Sequence, residues 1–281
     1  MAETALLKGR RGLVMGVAND HSIAWGIARA LAAEGAELAF TYQGEAQAKR
    51  LKPLAASVGS KLVLPGDVEN DGELGAAFDT LKREWGGLDF LVHAIAFSDK
   101  NELKGRYVDT TRDNFVRTLS ISCYSFTTVA RRAAQLMAGK GGALLTLSYL
   151  GASRVMPNYN VMGVAKAALE ASVRYLAADL GHEGIRVNAI SAGPMRTLAG
   201  SAVGDGRTMF KWIRQLTPLH RTIELEHVGG AALYLLSELS AGVTGEVHFV
   251  DAGYNVIGVP PASLLKSWNT AENGDKEDAQ T

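Results

Sequence analysis

Leu13-Val14-Met15-Gly16-Val17-Ala18-Asn19-Asp20-His21-Ser22-Ile23-Ala24-Trp25-Gly26-Ile27 joins a strand to a helix through one turn. Leu13 to Met15 is a short apolar run. Beyond it Ile23, Ile27 and Leu31 recur every four residues, so they share one helix face. Gly16 permits a sharp exit from the strand, and Gly26 removes a Cβ where helix and sheet approach closely. Ser22 stands where the helix begins, and its hydroxyl suits two roles, helix cap or donor to a phosphate. The G-x-G-x-x-G fingerprint is absent. Even so, a strand that turns directly into a helix N-terminus is where doubly wound sheets hold a pyrophosphate. The turn reads as a dinucleotide site in altered form.

The same alternation continues outward. Strand-like runs at Leu38–Tyr42, Lys61–Leu64, Leu88–Val92, Ala143–Leu147, Arg186–Ile190 and Glu246–Val250 are separated by helical stretches. Those stretches cover Glu45–Val58, about Leu74–Trp85, one long helix over Thr111–Met137, Asn158–Gly181 and Leu225–Leu236. Strands that alternate with long helices indicate an α/β fold, a doubly wound parallel sheet with helices on both faces. No linker divides the chain, which predicts a single domain over residues 1–261 and a polar, frayed tail over 262–281. Ser191–Pro218 is too long for an ordinary connection, and with Gly193, Pro194, Gly200, Gly204 and Gly206 it reads as a lid.

Composition narrows the partners. The 281 residues carry 29 Lys+Arg against 29 Asp+Glu, which removes the simplest electrostatic case for nucleic acid or an anionic membrane. Cys123 is the only cysteine, so intrachain disulfides and Cys-based zinc sites are excluded and a reducing compartment fits. Neither a signal-like nor a membrane-spanning apolar run is present, so a soluble cytoplasmic protein is expected. The six histidines are scattered, with no i, i+4 pair beside a carboxylate, and no metal is expected.

Chemistry concentrates at the carboxyl ends of the strands. Gln43 follows the second strand, where NAD-binding sheets usually place Asp or Glu against the adenosine ribose. A neutral glutamine there does not separate NADH from NADPH. Asp67-Val68 follows the third strand and either meets the adenine edge or supplies a turn aspartate for the helix near Asp71. Tyr149 follows the fifth strand, at the entrance expected for a ligand. Tyr159 and Lys166 are two helical turns apart, which places both on one helix face. A tyrosine there can donate to a substrate carbonyl, while the ammonium holds ribose hydroxyls and favours nearby negative charge.

Four segments carry a resemblance. They are the Gly16–Gly26 turn, Leu147-Ser148-Tyr149-Leu150-Gly151, Pro157-Asn158-Tyr159-Asn160-Val161-Met162-Gly163, and Arg186–Pro194 followed by Arg196-Thr197-Leu198-Ala199. With these the chain resembles the short-chain dehydrogenase/reductase superfamily, and within it the bacterial NADH-dependent enoyl-[acyl-carrier-protein] reductases. Ordinary members carry Tyr-x3-Lys, whereas Tyr159-x6-Lys166 with Tyr149 upstream marks the enoyl reductase branch. The likeness spans roughly Leu7 to Gly258. It implies a Rossmann-type fold, NADH as cofactor, an enoyl thioester on acyl carrier protein as substrate, and a homotetramer.

The resemblance also assigns roles. Tyr159 is the implied donor to the thioester carbonyl, Lys166 the clamp on the nicotinamide ribose, and Tyr149 the second site tyrosine lining the acyl pocket. Gly16, Ser22, Ile23, Gln43, Asp67, Val68, Ile95 and the stretch Met195, Arg196, Thr197, Leu198, Ala199 match cofactor-contacting positions. Gln43 fits the branch that prefers NADH. Ser98 falls where the family contacts substrate, although many relatives carry alanine, and His93-Ala94-Ile95-Ala96 departs from the more usual Ser-Ile-Gly. Met195, Leu198, Ala199, Val203, Met209 and Phe210 suit the wall of an acyl slot; an amphipathic helix packed on the domain suits Met209 and Phe210 equally. Arg196, Arg207, Lys211 and Arg214 suit a basic patch for an acidic carrier protein or, equally, a solvated helix face. Two rival readings are a carbonyl reductase on the same scaffold and a catalytically silent dinucleotide sensor.

Overall fold

Alternate residues of each strand face opposite ways, and both faces of these strands are apolar, so each demands a covering layer. The strands are β1 (Arg11–Met15), β2 (Glu37–Tyr42), β3 (Leu62–Pro65), β4 (Phe90–His93), β5 (Gly142–Ser148), β6 (Ile185–Ala192) and β7 (Val247–Val250). The computed structural model describes residues 5–195 and 212–260. Within them the sheet has seven parallel strands in the order β3-β2-β1-β4-β5-β6-β7. The chain steps outward from β1 to β3 and then crosses back to β4. That reversal leaves a crevice beyond the carboxyl ends of β1 and β4, where ligands bind in such sheets.

The helices are α1 (Ile23–Ala33), α2 (Gly44–Ser57), α3 (Asp71–Trp85), α4 (Arg112–Leu119), α5 (Ser125–Met137), α6 (Asn160–Leu180) and α7 (Leu225–Leu236). Val14, Phe40, Val92 and Leu145 pack with Ile27 and Leu31 of α1, Leu51 of α2 and Val228 and Leu235 of α7. Their strand neighbours Leu13, Met15, Leu91 and Leu144 point the other way, into Leu74 and Phe78 of α3, Phe126 and Val129 of α5, and Leu169 and Val173 of α6. Each fully buried Leu, Ile or Phe is worth roughly 1.5–3 kcal/mol, so both layers are held by the sheet they cover. No helix among the described residues is long and apolar enough to cross a membrane.

Three expectations need correction. The long helix over Thr111–Met137 is two α-helices, α4 and α5, joined by a π-turn at Ser120–Tyr124. Ser125 Oγ donates to the Ile121 carbonyl at 2.6 Å, a local bond that competes with the regular helical ladder. Second, α6 spans Asn160–Leu180, close to the expected bounds, but Tyr159 is its N-cap rather than a residue of the helix, between Asn158 (φ 56°) and Asn160 (φ 36°) in the left-handed region. Third, Gly26 serves a helix rather than the sheet: a Cβ there would stand 2.7 Å from Leu225 Cβ of α7.

Candidate active site

Gly16 ends β1 with φ +97°, and a Cβ on it would stand 2.1 Å from the Ala94 carbonyl oxygen beyond β4. Conformation and space both require glycine. Ser22 occupies the N-cap of α1, but its side chain makes no capping bond; Oγ donates to the Asn19 carbonyl at 2.6 Å. The cap reading of this hydroxyl is thereby excluded. The first turn of α1 also lacks an acidic residue, so the positive end of the helix dipole is left for an anion. That arrangement fits a dinucleotide pyrophosphate. Ile23 begins α1 beside it.

The second and third βα turns are tied to the first. The Gln43 amide N–H donates to Gln47 Oε1 at 2.6 Å, and Gln43 Nε2 donates to Asp67 Oδ2 at 2.9 Å. Gln47 Nε2 in turn donates to the Val17 carbonyl at 2.8 Å. Gln47 therefore braces the Gly16 turn, a role the sequence reading missed; the signal was its i+4 spacing from Gln43. Asp67 Oδ1 accepts from the Glu69 N–H at 3.0 Å, closing an Asx turn. Capping of α3 falls to Asn70, whose side chain accepts from Glu73 N. Val68 and Ile95 are partly buried against the layer formed by α3, α5 and α6.

Tyr149 follows β5, and Tyr159 holds the N-cap position of α6. Tyr159 thus precedes the helix instead of starting its face, and the two left-handed asparagines around it set its direction. Its ring lies 5.0 Å from that of Tyr149, centroid to centroid, with 69° between planes. Burial pushes the Tyr159 phenol well above its ordinary range, with Tyr149 and Glu170 adding to the effect. Burial also pushes Tyr149 up to about 12. Both hydroxyls stay protonated and able to donate.

Lys166 is buried in α6, and its Nζ donates to the Leu147 carbonyl on β5 at 2.7 Å. An ammonium has three donors, so this contact fixes the head and leaves two for a ligand. Burial lowers its pKa to about 8, opposed by Cys123 and Glu170. Glu170, one turn along α6, accepts a short hydrogen bond from Ser148 Oγ. The sequence reading gave Glu170 no role, and an i+4 carboxylate after a site lysine was the available signal.

Ser98 is buried, and its hydroxyl is engaged with Asn114 and with Thr118 Oγ1, which donates to it at 3.0 Å. Met195 is buried in the layer of α1, α2 and α7. Arg196, Thr197, Leu198 and Ala199 lie outside the described residues, as do Val203, Arg207, Met209, Phe210 and Lys211. Arg214 is exposed. Among the described residues no group of three or more His, Cys, Asp and Glu side chains could hold a metal ion.

Residues 16–255 match a family described as enoyl-(acyl carrier protein) reductase. A Rhizobium meliloti protein named enoyl-[acyl-carrier-protein] reductase [NADH] 2 is 66% identical over 261 residues, covering 93% of this chain and 97% of that protein. A Rickettsia felis protein named enoyl-[acyl-carrier-protein] reductase [NADH] FabI is 56% identical over 255 residues, covering 91% and 98%. The crystal structure of FabI from Candidatus Liberibacter asiaticus superposes with a TM-score of 0.89 at 58% identity, covering 91% of this chain and 99% of that one. A reductase of the same description from Anaplasma phagocytophilum, in complex with NAD, gives 0.88 at 57% identity, covering 91% and 97%.

Proposed function

The chain belongs to the enoyl-(acyl carrier protein) reductase family, and from that premise we infer how its residues divide the NADH-dependent reduction of an enoyl thioester. The observation that carries the division is the buried Lys166 head at the carboxyl end of β5, in the crevice shared by the Gly16 turn and the Tyr149–Tyr159 pair.

NADH, when bound, supplies the hydride that adds to the β-carbon of the trans-2 double bond. The Gly16 turn, Ser22 and the open end of α1 hold its pyrophosphate, while Gln43, Asp67 and Val68 border the adenosine end. Ile95 and Met195 border the nicotinamide end. Lys166 directs its two remaining donors to the ribose. Tyr159 donates to the thioester oxygen, on which negative charge collects only as the double bond is reduced, so this bond strengthens towards the transition state. Tyr149 packs on Tyr159 and lines the acyl pocket with Ser98.

The full substrate is the thioester on acyl carrier protein. The protein acts as a homotetramer in the cytoplasm, without nucleic acid or membrane. Tyr124 and Tyr175, exposed on the layer of α5 and α6, support self-association. Light scattering tests it.

Tyr159→Phe tests the mechanism. Loss of one donor to a developing oxyanion costs about 10²–10³ in kcat, with NADH affinity retained. Turnover of crotonyl thioester at the wild-type rate by this variant rules the role out. Faster NADH oxidation with acetoacetyl than with crotonyl thioester would instead favour a carbonyl reductase.

A further inference from the structure

His93 ends β4 in register with Met15 of β1 and Thr146 of β5, and its side chain is fully buried. No role above uses it. Four polar contacts surround the residue. Nδ1 is 3.1 Å from Thr146 Oγ1, and Nε2 is 2.8 Å from Ser125 Oγ. Thr146 Oγ1 also faces the His93 carbonyl at 3.1 Å, and Ser125 Oγ faces the Ile121 carbonyl at 2.6 Å.

Each contact needs one proton. The two hydroxyls supply two and a neutral imidazole supplies one, so four contacts share three protons. An imidazolium would complete the set, but burial and the nearby Lys166 charge lower the histidine pKa to about 3. The ring is neutral, and its tautomer decides which contact goes unmade. With the proton on Nε2, the ring donates to Ser125 and Ser125 donates to Ile121, so both shorter contacts are kept. With the proton on Nδ1, those two contacts compete for one hydroxyl proton. The distances favour the first arrangement.

Ser125 follows the π-turn and Ile121 lies within it, and Ser122, the residue after Ile121, completes a path. Ser122 Oγ accepts from the Phe97 N–H at 3.0 Å and faces the Phe97 carbonyl at 3.1 Å. We propose that His93 is a positioning residue for the substrate pocket: its Nε2–H holds Ser125, and with it the π-turn from which Ser122 grips the Phe97–Ser98 backbone. This rests on the placement of Ser98 at the substrate pocket made above. The ring acts through Ser125 and Ser122 and touches no reacting atom.

The side-chain amide nitrogen of glutamine reaches the place of Nε2, whereas that of asparagine reaches only the place of Nδ1. His93→Gln is therefore expected to keep the enoyl-thioester KM within about twofold of wild type, and His93→Asn to raise it on the order of tenfold. Ser125→Ala should match His93→Asn, and the double variant should be no worse than either single one. The NADH KM should stay near wild type throughout. Equal enoyl KM values in the Gln and Asn variants, or additive losses in the double variant, overturn the proposal. Solid-state 15N NMR of histidine-labelled wild-type enzyme provides a readout that needs no variant to fold. A protonated Nε2 with a bare Nδ1 is expected for the buried ring, and the opposite tautomer or an imidazolium overturns the proposal. Failure of the active-site reading would show separately, as undiminished kcat in Tyr159→Phe.

Discussion

Gly151 lies against the ring of Tyr159, so closely that a Cβ built on it would stand 2.5 Å from Cδ1. The same glycine backs onto α6, where a Cβ on Gly163 would stand 2.8 Å from the Gly151 carbonyl oxygen. The phenol proposed to donate in the reaction is thus set by a bare stretch of backbone. Gly151→Ala pushes the ring away while removing no functional group. A shift of about 1 Å in a reacting geometry costs on the order of 10²-fold, so kcat should fall steeply with NADH affinity retained. Steady-state kinetics beside a fluorescence titration of NADH decide it, and an unaltered kcat shows that the ring can yield.

Lys166 gives the enzyme an alkaline limb. Its folded pKa is lowered to about 8 from an ordinary 10.5, so the charge proposed to hold the cofactor disappears as pH rises through about 8. kcat/KM for NADH should decline there, and the limb should persist in Cys123→Ser, moved to lower pH because Cys123 helps to hold the charge. A profile flat through and beyond that pH removes the assignment. The stability effect has the opposite sense. Between pH values of about 8 and 10.5 the unfolded chain binds more protons at this lysine than the folded one. Its contribution to stability therefore rises with pH across that window.

Gln47 ties the second βα turn to the first through Gln43 N–H and the Val17 carbonyl. Gln47→Ala leaves both turns without their brace and touches nothing at the reacting end. The NADH KM should rise by roughly three- to tenfold, with kcat for a saturating enoyl thioester unchanged. A parallel fall in kcat would place Gln47 in a wider role.

The seam between α1 and α7 allows no added side chain. Gly26→Val forces a Cβ into Leu225 at 2.7 Å and should destabilise the fold by about 1–3 kcal/mol. Urea denaturation measures this directly. A midpoint equal to that of wild type means that α7 slides freely on α1.

The layers of the fold were legible because short continuous apolar runs and period-4 helical stripes are local signals. Leu13 and Val14 were read as neighbours in one such run, and the structure sends them into opposite layers. The split of the long helix was not legible, since Ser120–Tyr124 has no proline or glycine and the break involves a side-chain bond from Ser125 to Ile121. Tyr149, Tyr159 and Lys166 stood out by type and spacing, and the structure brings them to one end of the sheet. The tyrosine's place before the helix was hidden, because it follows from left-handed backbone at two asparagines. Gln47 and Glu170 escaped because their partners, Val17 and Ser148, are remote in sequence. Gly26 was singled out correctly and given the wrong neighbour, since only the folded chain shows that α7 returns to cover it.

That return has a consequence for how the protein is made. The face of α1 that carries Gly26 is finished only when Leu225 arrives, about 200 residues later. At a synthesis rate of roughly 5–20 residues per second, this is an interval of roughly 10–40 s. Throughout it the growing chain carries an apolar helix with no cover on one side. The nucleotide half is the first to emerge, yet it reaches its final packing together with α7. Truncated chains that stop before α7 should therefore depend on chaperones, however complete their cofactor turn is in sequence.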